Sequence, residues 1–209
     1  MIGTAEGSRI LRKNSVEKKH ANGERTLSTE ELRARTQQLS LREQIERNHF
    51  LLERLYAASA GIIQALTEGD VHGAIGEILG NLIGSEEVAI FHYNKADRRF
   101  VRAWSVGVSN DMLQQFSKGA GMMGRTVSQG LTQFRDRQNQ AHLLSCEKNL
   151  TASVVLKSSR EVVGVILIFG LLPQKNGLEW VDYQLLKFLE TYGALAIELH
   201  CLQKNAVKP

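Results

Sequence analysis

The sequence predicts an α+β fold in which an antiparallel sheet has helices on both faces and is preceded by a long coiled-coil-type helix. Two stretches, 41–66 and 181–202, repeat apolar residues at alternating spacings of four and three, as long amphipathic helices do. Between them lie runs rich in Val, Ile and Phe, separated by short polar turns, which indicates hairpins. A strand-rich core is therefore expected between two long helices.

The composition of the 209-residue chain limits its partners and its compartment. Lys and Arg number 26 against 22 Asp and Glu. The basic residues are not interleaved with aromatic ones, so we expect no nucleic-acid binding. The longest apolar run, 162–172, is too short to span a membrane. Cys146 and Cys201 stand far apart and the N-terminus resembles no signal peptide, so we expect a cytoplasmic protein.

The pattern divides the chain into four parts. Residues 1–26 are polar, charged and without period, so we interpret them as a disordered basic tail. Residues 27–66 are predicted to form the long N-terminal helix, which begins near Ser28 or Thr29 as the N-cap. Residues 67–203 are predicted to form the folded domain, and residues 204–209 a C-terminal tail.

The N-terminal helix carries a seam that favours self-association. The seam consists of Leu41, Ile45, Asn48, Leu52, Leu55, Ser59, Ile62 and Leu66. A polar seam residue such as Asn48 tends to fix register and strand number. A helix packed only on its own domain is the alternative, because further apolar residues widen the same face: Phe50, Leu51, Tyr56 and Ile63. We expect the helix to do both.

Turn and capping residues mark the elements between the long helices. A second helix is predicted from Asp70, as N-cap, to about residue 83, with Gly84 as its stop. Strands are predicted at 87–93, 99–106, 131–134, 151–157 and 161–170. The second strand should have Phe100, Arg102, Trp104 and Val106 on one side. The near-continuous apolar content of the last strand indicates a central position, covered on both faces.

The last helix is predicted from Leu178 to about Gln203 and repeats the seam spacing. We therefore expect a homodimer in which like helices pair. The residues expected at its interface are Ile45, Asn48, Leu52, Leu55 and Ile62 of the first helix and Leu185, Tyr192 and Leu199 of the last.

The segment Gly119-Ala-Gly-Met-Met-Gly124 has the G-x-G-x-x-G spacing of dinucleotide-binding turns. Such a turn follows a strand and opens a helix. Here Met112, Leu113 and Phe116 recur at helical spacing, which predicts a short helix before the glycines. We therefore interpret the glycines as a sharp turn, with positive φ at one or more of them, into a short helix after Gly124.

This order of elements resembles the GAF domain over residues 50–203. Residues 118–130 are similar to the glycine turn of that family, 152–157 and 162–168 to its strand pair, and 179–186 to the start of its last helix. The resemblance implies a GAF domain at 67–203 with a ligand pocket on one sheet face. The residues it places near the pocket, each also explained as core packing, are Trp104, Met122, Met123, Phe134, His142 and Thr151.

Two chemistries of GAF relatives find little support in these residues. A bilin-carrying cysteine is usually followed by His, whereas Cys146 is followed by Glu147. Free methionine sulfoxide reductases need cooperating cysteines, and a lone Cys146 cannot form the resolving disulfide. His142 and Cys146 could supply two metal ligands but not four. We expect no catalytic residues and no metal site, and the cofactor, if any, is unknown.

The expected function is that of a non-catalytic GAF regulator that senses a small molecule, docks a signalling protein, or does both, and acts as a dimer through its flanking helices. No kinase, cyclase, phosphodiesterase or helix-turn-helix pattern follows the domain. A ligand signal is therefore expected to leave through dimer geometry or a partner protein. Two alternatives stay open: a ligand-free GAF-like adaptor with a collapsed pocket, and an enzyme of the methionine sulfoxide reductase type.

Overall fold

The structure, a computed structural model, describes residues 29–109, 113–119, 121–135, 143–158 and 161–206. The tail predicted at 1–26 lies outside the described residues. The chain divides into two compact units, 1–43 and 44–209. The described part of the first unit is helical, and the second unit contains the sheet.

Two helices precede the sheet. Helix α1 is Thr29–Glu68 and helix α2 is Val71–Glu77. The carboxylate of Asp70 accepts a hydrogen bond from the backbone N–H of Gly73 at 3.0 Å, so the predicted N-cap is confirmed. A π-helical turn, Ile78–Ile83, extends α2 and ends at Gly84, whose φ of 76° is left-handed, as a stop residue requires.

The described strands form one antiparallel sheet in the order β3-β2-β1-β6-β5-β4. Their bounds are β1 Glu87–Asn94, β2 Arg99–Val106, β3 Gln115–Phe116, β4 Gln133–Phe134, β5 Ala152–Lys157 and β6 Val162–Gly170. Strands β1 and β2 form one predicted hairpin, and β5 and β6 the other. Strand β6 lies at the centre of the sheet, as its apolar content predicted.

The remaining helices follow the glycine segment and the last strand. Helix α3 is Gly121–Gln129, and a short 3₁₀ turn lies at Ser145–Glu147. Helix α4 (Trp180–Phe188) continues through a π-helical turn (Leu189–Gly193) into α5 (Ala194–Ala206). Helix α5 thus extends into the predicted C-terminal tail. None of the described helices is long and apolar enough to cross a membrane.

Each sheet face is covered by its own hydrophobic cluster. The first cluster, here the helical core, joins the sheet to α1, α2, α4 and α5 through residues such as Ile75, Leu79, Ile90, Ile166, Leu185 and Ile197. The second, here the α3 core, consists of Ala89, Phe91, Phe100, Phe116, Met122, Met123, Val127, Leu150, Val165, Leu167 and Phe169. The two lists alternate along β6, as side chains on a strand must. The predicted α+β architecture, with helices on both sheet faces, is confirmed.

The short helix predicted before the glycines is wrong over the described residues 113–118, whereas Met112 lies outside the described residues. Residues 115–116 instead form β3, which pairs with β2 so that Phe116 lies opposite Phe100. The rings of these two residues stack with centroids 5.1 Å apart, and Phe116 also contacts Phe91 edge-on at 5.2 Å. This aromatic packing across the sheet outweighs a local helical period of only three residues.

A β-bulge also overturns the predicted side of β2. The register pairs Phe91 with Arg102 but Ile90 with Trp104, so Ala103 is an extra residue on β2. The extra residue reverses the alternation, and the two aromatic residues of the strand face opposite ways. Phe100 lies in the α3 core, whereas Trp104 packs on the helical core.

Candidate functional site

The N-terminus of α3, which the glycine segment opens, is occupied by a carboxylate of the same chain. Glu147 is fully buried. Its Oε1 accepts a hydrogen bond from the backbone N–H of Met123 at 2.7 Å, and its Oε2 accepts one from the N–H of Leu144 at 2.8 Å. Charge-assisted bonds of this length at a positive helix end are strongly stabilising. The place where a pyrophosphate would bind is therefore filled from within.

The glycines allow the backbone to wrap around that carboxylate. Helix α3 begins at Gly121 rather than after Gly124 as predicted, and the φ of Gly121 is 70°, so the predicted positive φ is confirmed. A Cβ at Gly121 would collide with the carboxylate of Glu147, and one at Gly124 would lie 2.9 Å from the backbone of Gly119. The dinucleotide-like spacing thus reflects close packing between the turn and an internal acid.

The predicted pocket residues do not form one site. Met122 and Met123 are 2% and 0% exposed, so they present almost no surface to a ligand. Trp104 packs on the helical core, on the opposite face of the sheet. His142 lies outside the described residues.

Two of the predicted residues, Phe134 and Thr151, do line a common cavity of about 560 Å³ at the β4 edge of the sheet. Tyr183 meets Phe134 there edge-on, with ring centroids 4.8 Å apart, and Arg135 supplies a cation. We refer to it as the edge cavity.

A second cavity, of about 540 Å³, opens at the carboxyl end of α3 on the same sheet face as the α3 core. Its apolar lining comes from Tyr93, Val127 and Val162. Its charged lining consists of Lys95, Arg98, Lys118, Lys157 and Glu161, and Ser128, Gln129 and Gly130 complete it. We call this site the basic cavity.

The basic cavity brings together four cations and one carboxylate from three distant segments. Lys95 forms an ion pair with Glu161, with Nζ 3.1 Å from Oε2. Lys118 lies over the ring of Tyr93, with Nζ 5.3 Å from its centroid. No local sequence pattern marks this site, because the cations are spread over more than sixty residues and only the sheet order brings them together.

The two hairpin turns hold the cavity walls in place. In the β1–β2 turn, the Asn94 side chain accepts a hydrogen bond from the N–H of Ala96 at 3.0 Å and donates one to Asp97 at 2.7 Å. Arg98 follows with a φ of 54°. In the β5–β6 turn, the N–H of Ser158 donates to the carbonyl of Glu161 at 3.1 Å. The cations at the strand ends therefore start from fixed backbone positions.

A cluster of three histidines lies on the other sheet face. His72 of α2, His92 of β1 and His200 of α5 approach one another, with ring centroids 4.8 Å apart for the first pair and 6.0 Å for His72 and His200. Among the described residues, no group of three or more His, Cys, Asp or Glu is placed to hold a metal ion. The cluster therefore joins helices to the sheet without forming a metal centre there.

The thiol of Cys146 is not activated. Desolvation by burial, followed by the charge of Glu147, raises its pKa above the ordinary value. A raised pKa keeps the group as a thiol at neutral pH, and a thiol is a poor nucleophile. Both cysteines are free.

The predicted seam residues fall into three groups. Ile62 and Leu185 are 5% and 0% exposed and belong to the helical core, so their assignment to a dimer interface is wrong. Leu55 is half-buried against the same core. The others are exposed: Ile45, Asn48, Leu52, Tyr192 and Leu199.

Helix geometry explains both errors. A 3.5-residue period drifts by about 20° per heptad around a straight helix, so the α1 seam does not stay on one side, and Ile62 falls on the side that packs on the helical core. Ile45 is exposed because residues 37–50 of α1 are exposed on every side. In the last helix, the π-helical turn at Leu189–Gly193 adds a residue to one turn. Leu185 before that turn therefore faces the core, and Leu199 after it faces solvent.

Solved structures resemble this fold, although no protein-family model and no curated protein sequence matches the chain. The GAF domain from an Acinetobacter phosphoenolpyruvate-protein phosphotransferase is 13% identical with a TM-score of 0.58, over 75% of this chain and 98% of that one. The A. aeolicus nlh2 GAF domain in an inactive state is 19% identical with a TM-score of 0.55, over 71% and 98%. The free methionine-R-sulfoxide reductase from Neisseria meningitidis is 17% identical with a TM-score of 0.56, over 70% and 89%.

These similarities show that the chain has the GAF-domain fold, as the sequence resemblance implied. The similar structures include domains of signalling proteins and an enzyme. Function therefore depends on the sites and surfaces of this chain rather than on its fold alone.

Proposed function

We propose that this protein is a non-catalytic cytoplasmic regulator with a GAF fold, which dimerises through its flanking helices and senses a small molecule or docks a signalling partner. The observation that carries the proposal is a pair of exposed apolar stripes, one on α1 and one on the last helix. A globular chain that buried all its apolar helix faces internally would leave neither stripe in water.

The C-terminal stripe consists of Tyr192, Leu195, Leu199 and Leu202, at spacings of three, four and three. Their exposed fractions are 54%, 49%, 40% and 64%. The opposite side of the same helix holds Ala196, Ile197 and His200, which are buried. Helix α5 is therefore apolar on two sides, and only one of them is used by its own domain.

The α1 stripe consists of Ile45, Leu52, Tyr56 and Ile63, which are 66%, 64%, 78% and 66% exposed. Ala58, Ile62 and Ala65 lie on the buried side of this helix. Full burial of a Leu or Ile side chain is worth about 1.5–3 kcal/mol. Several such side chains from each subunit can outweigh the cost of association, which is about 4–15 kcal/mol.

The sensing role is supported by the basic cavity, and the chemistry of the thiols argues against the methionine sulfoxide reductase alternative. Cys146 has a raised pKa, and it forms no disulfide with Cys201. Two free cysteines also favour a reducing compartment.

One observation favours a second candidate, the ligand-free adaptor. The α3 core is filled by side chains, among them the fully buried Phe91, Phe100 and Met123. A GAF fold whose α3-covered sheet face is closed in this way could act by dimerisation and docking alone.

Sedimentation equilibrium tests the dimer. We expect the wild type to be a dimer at micromolar concentration and the double variant Leu195→Glu with Leu199→Glu to be a monomer, because four buried carboxylates would face each other across the interface. The matched control is Leu131→Glu, since Leu131 is 61% exposed and belongs to neither stripe. A monomeric wild type would refute the proposal, as would a double variant that dimerises as tightly as the control.

A further inference from the structure

We infer that the basic cavity binds a small organic anion that carries at least two negative charges. This inference rests on the proposed sensing role and names the class of molecule that would be sensed. Neither the glycine segment nor the α3 core offers such a site, because Glu147 fills the first and apolar side chains fill the second.

The charge balance of the cavity selects an anion. Lys95, Arg98, Lys118 and Lys157 line it, and Glu161 is the one carboxylate in its described lining. That carboxylate pairs with Lys95. Three cations thus remain without a carboxylate partner in the lining, and their fields add within a concave site. A ligand with two or more negative charges would balance most of this excess.

A purely structural explanation accounts for only part of the charge. The carboxyl end of α3, at Gln129 and Gly130, also lines the cavity. A helix C-terminus is equivalent to about half a negative charge. One lysine would be enough to balance this half charge. The cavity holds an excess of about three positive charges, because four cations face the single carboxylate of Glu161 in the described lining. The surplus needs another partner.

The acid of the β1–β2 turn, Asp97, lies outside the cavity lining. It lies in the same β1–β2 turn as Lys95 and Arg98, yet it is not among the lining residues. Its Oδ2 accepts a hydrogen bond from the side-chain amide of Asn94 at 2.7 Å. The turn therefore presents its two cations to the cavity and holds its acid outside the lining.

Size and lining indicate an organic ligand. A cavity of about 540 Å³ lies within the range of small-molecule sites. The half-buried ring of Tyr93 and the side chains of Val127 and Val162 give it an apolar wall. Lysine ammonium groups and the Arg98 guanidinium bind carboxylate and phosphoryl oxygens alike. The ligand class is therefore a di- or polyanionic metabolite with either type of group.

Isothermal titration calorimetry at pH 7.5 and constant ionic strength tests the site. Inorganic pyrophosphate is the probe for phosphoryl groups and citrate the probe for carboxylates. We expect one of them to bind the full chain, and the double variant Lys118→Gln with Lys157→Gln to bind at least tenfold more weakly. The control is Lys187→Gln, an exposed lysine of α4 outside the lining, which should bind as the wild type does.

A gain-of-binding variant guards against a folding defect. Glu161→Gln removes the competing carboxylate and releases Lys95, so it should bind the same probe several-fold more tightly than the wild type. Absence of binding by both probes would overturn the inference, and so would equal weakening in the double variant and in Lys187→Gln. A dimer that binds neither probe refutes only the anion site, whereas a monomer that binds with these preferences refutes only the dimer.

Discussion

His72 and His92 lie with their Nε2 atoms 2.9 Å apart, within hydrogen-bonding distance. One of these nitrogens must carry a hydrogen and the other must not, so the bond is lost when both rings are protonated. Burial, followed by the charges of His72 and His200, lowers the pKa of His92 to about 4. Burial, His200 and Lys204 also lower the pKa of His72, against an opposing effect of Asp70. The cluster therefore links α2 to the sheet in its neutral form.

The free energy of unfolding should consequently fall as the solution is acidified. An unfolded His titrates near pH 6.5, so between that pH and about 4 the unfolded chain binds more protons than the folded one. Stability is complete above the unfolded pKa and is lost progressively towards the folded pKa. For His92 alone we expect a loss of about 2 kcal/mol between pH 7 and pH 5.

Urea unfolding at several pH values measures this loss. The variant His92→Gln should flatten the pH dependence, whereas His49→Gln should retain it, because His49 is exposed on α1. An unchanged slope in His92→Gln would show that the cluster does not govern acid stability.

The side chain of Glu147 should contribute more to the free energy of unfolding than the side chain of any exposed Asp or Glu. In Glu147→Gln, one backbone N–H keeps an oxygen acceptor, but the other faces the amide NH₂ group and loses its partner. A buried unsatisfied donor costs about 1–3 kcal/mol, and the lost charge adds to it, so we expect a loss of about 2–4 kcal/mol. Glu77→Gln, at an exposed site on α2, should change stability by less than about 0.5 kcal/mol. Equal losses in the two variants would contradict this account.

The sequence predicts best those helix ends and hairpins that are determined by interactions between neighbouring residues. Asp70 caps α2 through its own side chain, and Gly84 ends the following turn with a left-handed φ. The hairpins around 94–98 and 158–161 follow from turn residues and alternating apolar runs. Such features involve residues within a few positions of each other, so a sequence pattern contains the whole cause.

The candidate site depended on contacts that no local pattern contains. The bulge at Ala103 turns Trp104 away from Phe100, and it is set by pairing with β1 rather than by β2 itself. The basic cavity forms because β1 and β6 are neighbours, which brings Lys95 within 3.1 Å of Glu161. Likewise, Ile62 and Leu185 follow a seam period, but packing decides which side of each helix meets the core.

Adjacent isoleucines on α1 separate folding from self-association. Ile62 is 5% exposed and Ile63 is 66% exposed. Ile62→Ala should lower the free energy of unfolding by about 2–5 kcal/mol, because it leaves a cavity in the helical core. Ile63→Ala should have little effect on a dilute, monomeric sample but should weaken the proposed dimer.

Unfolding experiments at two protein concentrations, combined with sedimentation, distinguish these effects. Both variants make the same chemical change at neighbouring positions, so each is the control for the other. A large loss of monomer stability in Ile63→Ala would mean that this side of α1 packs on the domain. Unchanged dimerisation in Ile63→Ala would exclude it from the interface.

A hydrogen bond connects the basic cavity with the C-terminal stripe. Ser158 directly follows Lys157, which lines the cavity, and its hydroxyl donates a hydrogen bond to Glu198 of α5 at 2.5 Å. Glu198 directly precedes Leu199 of the stripe. If the cavity binds pyrophosphate and the stripe forms the dimer, this bond lies between the two sites. Coupling between sites in proteins is typically 1–3 kcal/mol, or about 5–150-fold in affinity.

We expect pyrophosphate to shift the dimer dissociation constant of the wild type by a factor within that range. In Ser158→Ala this shift should be smaller. The variant should keep the anion affinity of the wild-type monomer, and without anion it should dimerise as the wild type does. Thr132→Val is the control, because it removes a different hydrogen bond to β5, the one that Thr132 accepts from the N–H of Val155 at 3.1 Å. Sedimentation with and without pyrophosphate measures the coupling, and calorimetry of monomer and dimer must return the same factor, since linkage is reciprocal.

A wild-type dimer constant that pyrophosphate leaves unchanged would mean that no signal passes between the sites. A shift of full size in Ser158→Ala would place the connection elsewhere in the fold.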